Sequence, residues 1–146
     1  MQMFYMLVLF GTWLPIVPLK ESKGTLTLIV KNLEAERGTL YVAVYESELH
    51  FLKENIIGKI IPVTSKPICI IPIPELPFGK YAVAVFHDLN GNGILDKNSF
   101  GVPTEPYAFS NNPAVKWRSP SFEETLVEFG EPQKDIILEL KRWRKH

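Results

Sequence analysis

Apolar side chains at positions 26, 28 and 30 alternate with mostly polar neighbours through residues 25–31. A period of two marks a strand with one face buried. Residues 32–38 are polar and end in Gly38, as a turn does. The run Thr39-Leu40-Tyr41-Val42-Ala43-Val44-Tyr45 is rich in β-branched and aromatic side chains, so the two segments predict an antiparallel hairpin. From 46 to 58 the period is lost: Leu49, Phe51, Leu52 and Ile56 suit a short helix or an irregular crossover. Residues 59–63 and 67–73 predict two further strands. Prolines at 62, 67, 72, 74 and 77 place them at sheet edges, because proline cannot donate to a ladder. Pro77-Phe78-Gly79-Lys80 is a turn, and Tyr81-Ala82-Val83-Ala84-Val85-Phe86, apolar on both faces, predicts a central strand.

Beyond residue 96 the pattern weakens. Residues 97–120 form a long connection rich in asparagine, proline and aromatics, in which Phe100, Tyr107, Phe109 and Trp117 could pack it down. Residues 122–129 and 135–140 predict the last strands, the second alternating Ile136, Leu138 and Leu140. About seven short strands with frequent turns and no strong helix predict one all-β sandwich, with a long loop after a central strand.

Composition narrows this further. The 146 residues are 46% hydrophobic, which excludes a disordered chain and supplies a core for one domain. Lys plus Arg equals Asp plus Glu at 16 each, so no global field recruits nucleic acid or an anionic membrane. Charge collects only at the end, where Lys141, Arg142, Arg144 and Lys145 make a basic tail that reads as a solvated terminus. Residues 1–19 carry no charged side chain, and the stretch 1–20 is expected to be a signal peptide or an N-terminal membrane anchor, with the sandwich over 21–146. The lone cysteine, Cys69, sits in the apolar run Ile68-Cys69-Ile70-Ile71 and reads as a buried, inert thiol.

The chemistry lies directly after the central strand, in His87-Asp88-Leu89-Asn90-Gly91-Asn92-Gly93-Ile94-Leu95-Asp96. Oxygen-bearing side chains fall at every second position, followed by glycine and then a carboxylate. A short loop wraps a hard cation such as calcium in this way. Asp88, Asn90 and Asn92 would give side-chain oxygens, Ile94 its backbone carbonyl and Asp96 the second full charge, with Gly93 at the sharp turn. Glu105 or a carbonyl from residues 98–112 could complete the shell. The loop departs from the EF-hand because Ser99 stands at the twelfth position, where a bidentate glutamate belongs. With two ionised ligands its affinity is expected in the roughly 10⁻⁴–10⁻³ M class of extracellular modules. A bare turn is the alternative, since Asn and Gly are common turn residues.

No catalytic residue is assigned. His87 beside Asp88 suggests a base and its orienter, but neighbours on a strand point to opposite faces. His50, His87 and Cys69 lack the spacing of a zinc site. Ser110-Asn111-Asn112 either hydrogen-bonds the backbone of the long loop or lines a groove for a polar ligand such as a sugar.

L-P-F-G-K-Y-A-V-A-V-F-H-D-L-N-G-N-G-I-L-D at 76–96, F-G-V-P-T-E-P-Y-A-F-S-N-N at 100–112, P-S-F-E-E at 120–124 and the final I-I-L-E-L occur in this order. Over residues 24–141 the chain resembles domain-of-unknown-function family 2141, small secreted bacterial proteins. It differs in Ala108, where members often carry glycine, and in a leader without the usual basic start. The resemblance implies a leader peptide, a prealbumin-like or immunoglobulin-like sandwich, and no known enzymatic activity. The expected function is therefore an exported, non-catalytic binding or accessory domain with a structural calcium loop, periplasmic, surface-located or secreted. Its partner would be an unknown protein or polar ligand of the envelope, and membrane contact would come only through an uncleaved leader. A purely structural envelope domain and a small hydrolase using His87 are the alternatives.

Overall fold

A computed structural model describes residues 22–34, 36–64, 67–114 and 118–143. The leader, Trp117 and the last three residues of the basic tail, named above, lie outside them. Eight strands form two sheets, β1 (Lys23–Lys31), β2 (Thr39–Tyr45), β3 (Ile57–Pro62), β4 (Ile68–Pro77), β5 (Gly79–Asp88), β6 (Tyr107–Phe109), β7 (Leu126–Phe129) and β8 (Gln133–Glu139). The first sheet has the order β4-β1-β8, the second β3-β2-β5-β6, with β7 also paired to β5. All pairings are antiparallel except β1 with β8, which is parallel.

The expected hairpin between the first two strands does not form. β1 pairs with β4 and β8, while β2 pairs with β3 and β5 in the other sheet. Alternation fixes which side chains face inward but not which strand lies alongside. Residues 32–38 are a passage across the sandwich, and Asn32 at φ 63° and Gly38 at φ 87° let the backbone change direction there. Side chains at Gly38 are excluded by contact as well, since a Cβ would fall 2.3 Å from the Asp88 carbonyl oxygen. Leu26, Leu28 and Val30 of β1 and Leu40, Val42 and Val44 of β2 are nearly inaccessible and belong to one core with Val83, Val85 and Leu138. Each such side chain stabilises the fold by roughly 1.5–3 kcal/mol relative to exposure.

The proline-based expectation of edge strands holds. β3 and β4 each end their sheet. β4 runs past Pro72 and Pro74 with a bulge at its end: Leu26 pairs Ile73 and Gly24 pairs Leu76, and Glu75 sits at φ 57°. On β3, Lys59 is opposite inward-facing Val42 and carries no ion pair among the described residues. A charge turned inward at a sheet edge blocks pairing with another chain. β5 is central as expected, flanked by β2 on one side and by β6 and β7 on the other.

Residues 122–129 are not one strand. α1 (Phe122–Thr125) is a single helical turn, after which β7 begins. Ser121 is its N-cap, accepting from the Glu124 N–H, while the Glu124 carboxylate accepts the Ser121 N–H at 2.7 Å. Ser-x-x-Glu is a capping box, and the three apolar residues that follow it, Leu126, Val127 and Phe129, masked it in the periodicity. Residues 46–56 contain a 3-10 turn at Glu48–His50, in line with an irregular crossover, and β3 begins at Ile57, two residues before the expected strand.

Candidate functional site

β5 carries the chain to the acidic loop, and parity along the strand separates its last two residues. His87 continues the inward row Tyr81, Val83, Val85 and is inaccessible to solvent. Its Nε2 lies 2.8 Å from the Arg37 carbonyl oxygen, and its Nδ1 has no partner. Asp88 turns the other way, so the two side chains do not meet. A hydrolase would need His87 open to substrate, and here the imidazole is a buried anchor for the turn at Gly38.

Asp88 is also inaccessible. Its Oδ1 accepts the Gly91 N–H at 2.6 Å and its Oδ2 the Gly93 N–H at 2.8 Å. Burial pushes the carboxyl up, but the N–H groups of Gly93, Gly91, Asn92 and Asn90 outweigh it and hold it below the usual carboxylate range. Asn90 and Asn92 face Asp96. The Asn90 amide donates to Asp96 Oδ2 at 2.5 Å, and the Asn92 amide donates to both Asp96 oxygens at 3.0 Å. Their own Oδ1 atoms accept the N–H groups two residues on, at 3.1 Å for Asn92 and 3.0 Å for Ile94. Ile94 exposes its side chain, 62% accessible. Gly93 takes φ 79°, and a Cβ there would stand 3.3 Å from the Tyr41 hydroxyl, so the loop lies on the second sheet.

Glu105, suggested as a supplementary ligand, has a different place. It is 5% accessible, and it bridges the two ends of the loop: Oε1 accepts the Leu89 N–H at 2.9 Å and Oε2 the Asp96 N–H at 3.3 Å. Beyond Asp96 the chain folds into a small finger. Lys97 bridges Pro103, the Asn98 carboxamide oxygen accepts from Phe100 and Val102, and Phe100 at the tip is 87% exposed.

The structure thus gathers Asp88, Asn90, Asn92 and Asp96 into one cluster, with Glu105 beneath it. Among the described residues no three His, Cys, Asp or Glu side chains form a metal-holding group, so a cation here would rest on amide and carbonyl oxygens as well as carboxylates. It would also require Asn90 and Asn92 to present Oδ1 where they now present N–H. A carbonyl oxygen has two lone pairs, so an inward-facing Oδ1 can keep its backbone bond.

Ser110-Asn111-Asn112 is committed to backbone. The Ser110 hydroxyl accepts the Val83 N–H at 2.9 Å and donates to the Thr125 carbonyl. The Asn111 amide reaches the Leu126 carbonyl at 2.7 Å, and Asn112 bonds both the Ile137 carbonyl and the Glu139 N–H. Asn111 and Asn112 adopt φ 62° and 45°, which asparagine tolerates better than most residues. Cys69 is half-buried, and burial pushes its thiol up, away from reactivity.

Sequence reasoning missed a second feature, the outer face of the second sheet. Ile60, Tyr41, Phe86 and Tyr107 stand opposite one another across four strands. The Tyr41 and Phe86 rings stack 4.9 Å apart and 6° from parallel. Beside this row runs a second one of Gly58, Ala43 and Ala84, closed by Phe109. The outcome is an open groove of about 1380 Å³, bordered by the finger and by the chain's end at Lys141, Arg142 and Trp143. The alternation of small and aromatic residues on outward positions was the available signal.

No curated protein and no solved structure matches the chain. A family profile does, described as an uncharacterized protein conserved in bacteria (DUF2141), over residues 28–137, well over half of the sequence. The chain belongs to the DUF2141 family.

Proposed function

We propose that this is an exported, non-catalytic binding module, a sandwich of prealbumin or immunoglobulin type whose 88–96 loop seats a structural calcium ion. One observation carries the reading. Asp88 and Glu105 are the buried acidic residues of the described chain, the first opening this loop and the second bonded to both its ends, and neither has an ion-pair partner among the described residues. Asp96 adds a third carboxylate, also without one. Buried charge is ordinarily paired or placed on a metal. Here N–H groups and amides alone answer it, and the alternating oxygens are those a hard cation takes. A bound ion would tie Asp88 to Asp96 and so hold the finger carrying Phe100 at a fixed angle to the second sheet.

Thermal unfolding of the full chain in excess chelator and then in 10 mM calcium tests this, with magnesium as control because it demands a tighter octahedral shell. For a dissociation constant near 10⁻⁴–10⁻³ M, binding to the folded form alone adds about 1.4–2.7 kcal/mol. The midpoint rises with calcium, much less with magnesium, and not at all in Asp96→Asn. An unchanged midpoint in calcium refutes the metal reading and leaves the loop a turn held by its own side chains.

A further inference from the structure

We infer that the groove on the outer face of the second sheet binds an anionic amphiphile, an apolar chain with one negatively charged head. This deepens the binding-module reading by naming its ligand, and it does not depend on the calcium ion.

The floor decides the body of the ligand. Gly58, Ala43 and Ala84 offer no polar side chain; β2 and β5 are paired on both sides, and over Gly58 on the edge strand β3 the Asn55 amide already donates to the Ile57 carbonyl. A sugar laid over them would lose water from its hydroxyls and gain no partner there, which is costly. An apolar chain loses nothing of the kind. The walls are mainly apolar: the Tyr41–Phe86 stack along one side, Phe109 at the end, and Phe100, 87% exposed, on the finger, while Asn98 and Thr104 at the margin are bonded to backbone. Apolar grooves with a few placed polar groups are the common form of a small-molecule site.

The rim decides the head. Among the described residues four basic side chains, Lys97, Arg118, Lys141 and Arg142, and no acidic one line the groove, although the whole chain is charge-balanced at 16 each. Arg118 and Arg142 are held by Glu124 and Glu34, and Lys141 donates to the Pro113 carbonyl. Lys97 has neither an ion pair nor a side-chain hydrogen bond among the described residues. Lys97 stands at the base of the finger, where an anionic head would meet it as the chain lies along the floor. The hydroxyls of Tyr41, Tyr45 and Tyr107 likewise donate to no protein acceptor, whereas Tyr81 on the inner face donates to the Pro77 carbonyl at 2.8 Å.

Calorimetric titration of the full chain with decanesulfonate, below its micelle concentration, tests the inference. Decyltrimethylammonium, with the same chain and the opposite charge, and tetragalacturonate, an anion without an apolar chain, are the comparisons. Decanesulfonate binds with one site, at least tenfold tighter than either. Phe100→Ala, too exposed to disturb folding, weakens it severalfold. Ala43→Phe fills the floor and abolishes it while the melting midpoint shows the variant folded. Lys97→Glu weakens it about tenfold. Equal binding of the two decyl compounds overturns the anionic head, tighter tetragalacturonate overturns the apolar body, and indifference to both Phe100→Ala and Ala43→Phe overturns the location. Each titration is run in chelator and in calcium. Binding in both with no calcium shift of the midpoint refutes the metal reading alone, and no binding in either refutes the groove alone.

Discussion

The two sheets present apolar side chains outward in different ways. On the first, Ile70, Ile29 and Ile137 stand opposite one another across β4, β1 and β8, with Ile70 66% and Ile137 44% accessible. Thr27, Pro72 and Asp135 make the next row. The outer face of the second sheet carries Tyr41, Phe86 and Tyr107, all half-buried, with the acidic loop on Tyr41 and the finger beyond it. Both faces are hydrophobic by count. What distinguishes them is backbone: asparagine- and glycine-rich segments that stand above one sheet turn a flat face into a concave one.

The largest test of that difference removes the support of the loops. Asp88→Ala orphans the Gly91 and Gly93 N–H groups, at about 1–3 kcal/mol for each donor denied a partner, read as a fall in urea midpoint. Glu105→Leu acts on the Leu89 and Asp96 N–H groups and falls in the same range. Acid sharpens the Asp88 result. Its carboxyl is held low when folded, so its share of stability is present above the unfolded value of about 3.9 and disappears as pH falls through the lower folded one. Urea midpoints between pH 2 and 6 show a steeper acid loss in the parent than in Asp88→Ala.

A smaller effect lies on the groove itself. A double-mutant cycle of Tyr41→Ala and Phe86→Ala gives a coupling of about 0.5–1.5 kcal/mol for the stacked pair. The counterpart on the first sheet, Ile70→Thr, changes stability by no more than about 0.5 kcal/mol, because the side chain is two-thirds in water. Smallest is Glu124, at the exposed margin of the groove. The Arg118 guanidinium, with the Ser121 N–H, holds its carboxyl at about 2, so its contribution is kept above the usual range and is lost only as pH falls to that value. Carboxyl NMR shows the titration moving upward in Arg118→Gln.

Legibility in the sequence follows the same division. The inward face of β1 was plain because alternation at 26, 28 and 30 is a direct image of burial, and β5 was plain as central because residues 81–86 are apolar throughout. Edge positions were plain because proline states a missing donor. Partnership was not: β1 beside β4 and β8 depends on contacts distant in sequence, and nothing local forbids β2. Asp88, Asn90, Asn92 and Asp96 were found as a cluster from spacing alone, since each is within reach of the next. Glu105 reaches them from outside the loop, and its task of bonding two backbone N–H groups leaves no spacing to read. Tyr107 and Phe109 read as side chains packing down a long connection, and the strand they form, Tyr107–Phe109, was not visible in the sequence. Only register places Tyr107 in one outward row with Tyr41 and Phe86.

The parallel pairing of β8 with β1 has a bearing on when the domain can form. Residue 31 is matched to residue 139, so the middle strand of the first sheet waits for almost the last part of the chain before both its edges are joined. Contacts between such distant positions form slowly, since a long loop must close before any gain is returned. Until then β1 has only β4, and a two-stranded ribbon is marginal in water. During synthesis the first sheet would therefore stay open, with its closure reserved for β8. Tethering or truncation near residue 139 would be felt first at the opposite end of the sequence, in protection of the β1 amides from hydrogen exchange.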